Sequence, residues 1–376
     1  MVDHDEVVLR FIAEWFDPHS QLLKQYLLTY HVSTSEVEMK DLTTRRKFLK
    51  KTKLTATLDA SQFIKGSSFV LLARELKLVD YADMVTRRLL ESKEERITIL
   101  VIPSHFEAVG DIVMSIEKEH YNLADIKTLC FNSNSRIDEL SRAVELLPGM
   151  EIQDICSNSE HPFVAISFQG SDCIANVRTL VESSSFRRGV VYPRIGEEQE
   201  FSDFVLSNER KSTATLQECT CCIIKPHVLK EHKFGAVIND ILMYRQGFTI
   251  SAMEMYRLDK ERAAEFTAVY KGIFPQYVEL VDEMCSGPLI AMEIKRNPTM
   301  CTEGYDCDIV DLFRAEAGPW DYSVACELHP QSIRAKFGLS NAANAVHCTD
   351  LPKDGVIECQ YFFEFLAQER SKAVTS

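Results

Sequence analysis

Two hydrophobic periods divide the chain. Over roughly the first ninety residues, "QYLLTYHV" and "EVEMKDL" are apolar runs with strand-like alternation, which predicts a small β-rich module. Beyond it the pattern changes and then repeats. An apolar strand ending in proline, "ITILVIPSH" (Ile97 to His105), is answered by "CTCCIIKPH" (Cys219 to His227). After each come a glycine and an amphipathic helix, "GDIVMSIEKEHYNLADIKTL" from Gly110 and "GAVINDILMYRQGFTISAMEM" from Gly235. In the second copy Ile238, Ile241, Leu242 and Tyr244 share one helical face, and "FTISAMEMY" alternates as a strand. Next come "HPFVAISF" around Pro162 and "GPLIAMEI" around Pro288. Pro103 and Pro226, Gly110 and Gly235, and Pro162 and Pro288 are 123, 125 and 126 residues apart. An offset that steady indicates a duplicated domain.

Each copy reads strand, helix, strand, helix, strand, then helices and a terminal strand, the split βαββαβ order of a ferredoxin-like fold. The expected class is therefore α+β: two tandem ferredoxin-like domains, over residues 96–208 and 218–370, preceded by a β-rich module over residues 1–92. "ESKEER" (Glu91 to Arg96) reads as the charged exit linker of the module, and "ERKSTATLQE" (Glu209 to Glu218) as the polar connector between copies.

Composition narrows this further. With 376 residues and 45% hydrophobic content, the chain can bury several cores. No run approaches the roughly 18 apolar residues of a membrane span, and "MVDHDEVVLR" has acids where a signal peptide has bases. A cytosolic protein without a membrane partner is expected. The twelve cysteines mostly sit in apolar runs such as "CTCCIIKP", so they read as reduced, buried small hydrophobes. Zinc is the weaker reading, because Cys219, Cys221 and Cys222 suit alternating strand faces.

Charge is uneven. Residues 1–93 hold 15 Lys+Arg against 13 Asp+Glu, and the remainder 27 against 43, which argues against a nucleic-acid partner. The densest basic stretch, "RRKFLKKTK" (Arg45 to Lys53), is either a solvated strand edge or loop, or a patch that docks on an acidic protein such as tubulin through Phe48 and Leu49.

In the second copy, Lys225 ends a strand, Arg314 and Arg334 follow, and then Asn344 and His347. A polyphosphate site needs Lys as a point charge and Arg as a planar two-point donor. A neutral histidine nitrogen, its other nitrogen held by a carboxylate, can accept and pass on a phosphoryl group. Glu358 is the nearest downstream carboxylate for that task.

Residues 218–367 resemble the nucleoside diphosphate kinases. "CCIIKPH" matches the family's strand ending in Lys-Pro-Asp, "SGPLIAMEI" its Ser-Gly-Pro strand, "SIRAKFG" its Ile-Arg-Gly-Asp-Phe turn and "NAVHCTD" its Asn-x-x-His-Gly-Ser-Asp segment. The 13-residue spacing from Arg334 to His347 also agrees. The resemblance implies His347 as the phosphohistidine nucleophile, Lys225, Arg314 and Arg334 as phosphate ligands, Asn344 on the ribose and Glu358 orienting the histidine. It also implies nucleoside di- and triphosphates as substrates, with Mg2+ bound through their phosphates. There are departures: Thr267 in "EFTAVY" stands for a catalytic tyrosine, Trp320 in "AGPWDY" lies where a phosphate-binding threonine belongs, His227 replaces an aspartate, and Cys348 a glycine. In the first copy Ile102 occupies the lysine position and Tyr192 about that of the histidine, so that copy is expected to be silent.

The first module, with "FIAEWFDPHSQLLKQYLLTY", resembles a pleckstrin-like piece shared by axonemal proteins. Family members with this layout imply a structural role inside ciliary and flagellar doublet microtubules. The implied partners are tubulin and other inner proteins, together with centrosomes and the γ-tubulin ring complex. At most weak kinase activity is expected.

Overall fold

Alternating burial along the first strands follows the apolar alternation in the sequence. The protein is seen in a computed structural model that describes residues 8–17, 20–53, 63, 65–71, 74–91, 94–131, 133–146, 148, 150–156, 161–207, 211–242, 247–296 and 308–370. It divides into two units, Met1–Glu94 and Glu95–Ser376.

The first unit contains β1 (Val8–Asp17), β2 (Leu22–His31), β3 (Glu36–Asp41), β4 (Lys47–Lys53), β5 (Ser68–Leu71), β6 (Arg74–Tyr81) and α1 (Met84–Glu91). Its strands form an antiparallel sheet in the order β4-β3-β2-β1-β6-β5. Phe11, Tyr26, Leu28, Tyr30 and Val37 point into one core, where Phe63 stacks on Tyr30 at 4.1 Å. The basic stretch is the exposed edge strand β4, with Lys47 and Lys51 paired to Glu38 and Glu36. Lysines along an edge deter strand pairing with other chains. Phe48 lies against Tyr26 at 4.6 Å and under the Arg74 guanidinium.

The second unit opens with β7 (Glu94–Val101), α2 (Val109–Glu117), β8 (Asn122–Leu129), α3 (Asn134–Ala143), β9 (Val144–Glu145), α4 (Ile152–Cys156), β10 (Phe163–Ser171), α5 (Cys173–Glu182), β11 (Val190–Pro193) and α6 (Glu198–Leu206). It continues with β12 (Cys219–Ile224), α7 (Pro226–Lys230), α8 (Phe234–Leu242), β13 (Phe248–Arg257), α9 (Lys260–Phe266), α10 (Tyr277–Met284), β14 (Pro288–Arg296), α11 (Ile309–Ala317), α12 (Tyr322–Leu328), α13 (Ile333–Phe337), β15 (Val346–Cys348) and α14 (Gly355–Gln360). Tyr244 lies outside the described residues.

Among the described residues one sheet runs β15-β12-β14-β13-β8-β10-β7-β11-β9. Apart from the short edge strand β9, each copy contributes its strands in the same internal order, and the copies meet at their second strands, β8 and β13, where Lys127 is opposite Glu254. That buried pair is 3.3 Å apart, and Thr128 accepts the Met253 N–H at 2.9 Å. On one face α2 crosses α8 at the landmark glycines. A Cβ on Gly110 would sit 2.8 Å from the Gly235 carbonyl oxygen, and one on Gly235 would sit 2.7 Å from that of Gly110. Only glycine permits this reciprocal approach. Glu117 accepts the N–H groups of Phe234 and Gly235 at 3.2 and 3.0 Å, so a carboxylate from one copy caps a helix of the other.

Two readings need correction. Glu94 to Arg96 are not linker: they begin β7, and Glu95 accepts the Ile174 N–H at 3.0 Å. The charged residues mark a half-buried strand end, which composition cannot distinguish from a loop. The cysteines are also not uniformly buried: Cys130 and Cys326 are exposed, although all ten described cysteines are free. Cys219 and Cys221 do face one side of β12 and Cys222 the other. Across that side Cys359 approaches, and donor atoms of Cys219, Cys359 and Glu293 lie within 4.8 Å of one another. The connector is tethered, since Glu293 accepts the N–H groups of Thr215 and Leu216 at 2.8 and 2.6 Å. No helix among the described residues is long and apolar enough to cross a membrane.

Candidate functional site

β12 ends at Ile224, and Lys225 caps α7, because Pro226 lacks the N–H a strand needs and instead opens the helix. The Lys225 N–H donates to the Ala345 carbonyl at 2.9 Å, which brings the "NAVHCTD" segment alongside. Ala345 has φ of 68°, in the left-handed region where a Cβ is disfavoured. Such strain is held only where surrounding contacts over-determine the backbone, often at functional sites. β15 then pairs with β12, His347 opposite Ile223.

His347 is buried, and its Nε2–H donates to Glu358 Oε2 at 2.8 Å. Thr349 donates to the same oxygen at 2.9 Å and accepts the Cys221 N–H at 3.0 Å, so the carboxylate is itself positioned. With its proton on Nε2, His347 has an unprotonated Nδ1 whose lone pair can take an electrophile. Phe266 approaches the imidazole edge-on, centroids 5.1 Å apart.

The cations are gathered, but most of their donors are engaged. Lys225 Nζ donates to the Ala342 carbonyl and Asn344 Oδ1, both at 2.6 Å. Burial, with the neighbouring Arg334 charge, pulls the Lys225 ammonium down to about 7. Arg334 enters from the first turn of α13, which Ser332 caps. It donates to the carbonyls of Gly318 and Val346 at 2.7 and 3.3 Å and to Cys348 Sγ at 3.4 Å. Asn344 also donates to the Trp320 carbonyl at 3.1 Å. Arg314, on α11, is exposed and reaches the Asp350 carbonyl at 2.7 Å.

Trp320 closes this group. Its ring lies 5.1 Å from Lys225 Nζ and 5.5 Å from the Arg334 guanidinium, and stacks on Phe274 at 4.3 Å. The following Asp321 caps α12 and accepts from Asn341, so the segment carrying the indole is pinned.

Thr267, at the position of the family's tyrosine, is buried and donates to the Ala263 carbonyl at 2.6 Å, within its own helix. Tyr270 stands nearer the site instead. Its hydroxyl donates to Asp350 at 2.7 Å, and its ring is 6.3 Å from His347. Sequence reading missed Tyr270, Thr349 and Asp350. The last two stand inside the "HCTD" motif, and the first follows Thr267 by one helical turn.

In the first copy, Val101 pairs with Val190 and Leu100 with Val191. Counting back from Pro103 and Pro226 aligns Leu100 with Ile223, so Val191, not Tyr192, is at the histidine position. Because strand side chains alternate, that one-residue difference turns Tyr192 to the opposite face, beneath Arg178. Ile102 is buried where Lys225 stands in the second copy.

The nucleoside diphosphate kinase family profile matches residues 218–367. Nucleoside diphosphate kinase homolog 7 of Rattus norvegicus is 33% identical over 95% of this chain and 93% of its own length. The Mus musculus homolog 7 is 34% identical with the same coverage. The chain belongs to the nucleoside diphosphate kinase homolog 7 family. A crystal structure of the Aquifex aeolicus nucleoside diphosphate kinase is similar over 40% of this chain and 96% of its own, at 31% identity and TM-score 0.34.

The kinase family works on magnesium nucleotides. The donor set here suits phosphate more than a resident metal. Asp350 is already bonded to Tyr270 and Arg314, and no carboxylate cluster lies beside Lys225 among the described residues. Magnesium would be carried on the phosphate oxygens, where it neutralises charge.

Proposed function

We propose that this chain is mainly a structural protein of ciliary and flagellar doublet microtubules, lying inside their walls, and that its C-terminal copy has at most weak nucleoside diphosphate kinase activity. On this reading both copies are ferredoxin-like kinase folds, the first without a working site, and the N-terminal module is pleckstrin-like. Tubulin and other axonemal inner proteins are the partners, and the γ-tubulin ring complex is a further one. The observation that carries the proposal is the engagement of Lys225 and Arg334 by the chain's own carbonyls beneath Trp320, while the first copy has Ile102 and Val191 instead. Loss of one transition-state hydrogen bond costs about 10² to 10³ in rate, so a covered site without its tyrosine turns over slowly. Purified chain should co-sediment with doublet microtubules, and its deletion should remove density from their lumen. Failure of both rejects the structural reading.

A second reading, full transfer of a nucleoside triphosphate's γ-phosphate to a diphosphate through His347, is favoured by the intact His347–Glu358 pair. Attack by Nδ1 would form the N–P bond as the diphosphate leaves, and the acceptor diphosphate would reverse that step. Incubation with γ-labelled ATP should leave acid-labile phosphate on the chain and none on His347→Ala. Rapid turnover would favour this reading over the structural one.

A further inference from the structure

The structure assigns a groove beside the histidine to the docking of a basic amphipathic helix from a partner protein, and we propose this as a binding site that adjoins the candidate phosphate site and shares Glu358, Asp350 and Tyr270 with it. A cavity of about 630 Å³ opens between the end of α9, the turn that follows it and α14. Its floor is aromatic: Phe266, Tyr270, Phe274 and Tyr361. Its rim is aliphatic and exposed, with Val269 at 68%, Ile273 at 72%, Ile357 at 61% and Leu351 at 48%. Scattered exposed aliphatics are ordinary, but four around one aromatic floor form the kind of patch that marks a partner site.

Charge selects the occupant. The remaining lining residues are all acids, Glu265, Asp350, Asp354 and Glu358, and no lysine, arginine or histidine lines the groove. Arg262 and Tyr361 both engage Oε2 of Glu265, and Asp350 and Glu358 are held as described above. The Asp354 carboxylate, also in the lining, takes no donor from the described residues. A helix offering apolar anchors at i, i+4 and i+7, flanked by Lys or Arg, matches the aliphatic rim and the acidic lining together. An acidic partner surface does not. Phe266 and Tyr270 belong both to the groove floor and to the imidazole's surroundings, so an occupant would rest on side chains that touch His347.

The test uses the full chain and a fluorescent helix-forming peptide with leucines on one face and lysines flanking them, followed by anisotropy. Saturable binding is expected, and it should weaken by at least about tenfold when the lysines become glutamates or when the leucine order is scrambled. The double variant Ile273→Asp with Ile357→Asp, at exposed positions, should lose binding by a similar factor while keeping the wild-type circular dichroism and melting profile. Asp354→Lys should weaken the lysine peptide and strengthen the glutamate peptide. Equal binding of the scrambled or glutamate peptides, or no effect of the double variant, overturns the proposal. Concentration-dependent self-association abolished by the double variant would also overturn it, giving the groove to a second copy of the chain.

Discussion

Nζ of Lys225 lies 5.1 Å from the ring of Trp320, and that indole also faces Arg334 and stacks on Phe274. A residue so placed occupies space beside both cations that a nucleotide would need. Trp320→Ala should therefore tighten ADP binding by about tenfold, which corresponds to about 1.4 kcal/mol. It should also cost about 1 to 3 kcal/mol of stability through lost packing and stacking. Nucleotide-dependent shifts in melting temperature measure both effects. Unchanged or weaker binding would show that the indole is no barrier.

Glu358 holds the Nε2 proton and so decides which imidazole nitrogen is nucleophilic. Glu358→Ala should slow formation of acid-labile phosphate by about 10² to 10⁴. Glu358→Gln, whose amide oxygen can still accept the Nε2–H, should retain more. Equal labelling of all three proteins would remove Glu358 from the mechanism.

Lys225 has a folded pKa of about 7, below its ordinary 10.5, because it is buried beside Arg334. At pH 8 it is mostly neutral, and an arriving polyphosphate restores its charge, so binding takes up a proton. Calorimetric enthalpies in buffers of different ionisation heat should diverge at pH 8 for the wild type and agree for Lys225→Met. For stability the sign follows from the depressed pKa: the contribution present above pH 10.5 is lost as pH falls to about 7, and is flat below. The melting temperature of Lys225→Met relative to wild type should rise over that window.

Glu117 behaves oppositely at the junction of the copies. Burial raises its carboxyl to about 7, against the pull of the Phe234 and Gly235 N–H groups. A raised folded pKa means that stability is fully present below about 4.5 and is lost as pH rises through 7, by of order 3 kcal/mol. Denaturant melts from pH 5 to 8 should show that loss, and Glu117→Gln should flatten it. A Glu117→Gln variant with the wild-type slope would place the titration elsewhere.

At the same junction, Gly235→Ala should cost about 1 to 3 kcal/mol, since its Cβ would be forced against the backbone of α2. Urea midpoints measure it, and a neutral outcome would mean that the helices can separate without penalty.

Much of this was legible along the chain because it depends on local periods. The glycines 125 residues apart that marked the repeat are the two that meet where α2 crosses α8. Of the residues inferred from the kinase-like motifs, Lys225 meets Asn344, Arg334 meets the Val346 carbonyl and His347 meets Glu358, while Arg314 lies exposed against Asp350. Other features depended on contacts between distant segments. Pairing register, not spacing, put Val191 rather than Tyr192 at the silent histidine position. The engagement of Lys225 and Arg334 by the chain's own acceptors, the covering Trp320 and the approach of Tyr270 depend on contacts between segments far apart in sequence. Motif order therefore identifies which residues can meet. Whether their donors are free for a ligand is set by long-range packing, because buried polar groups take whatever partners the folded chain supplies.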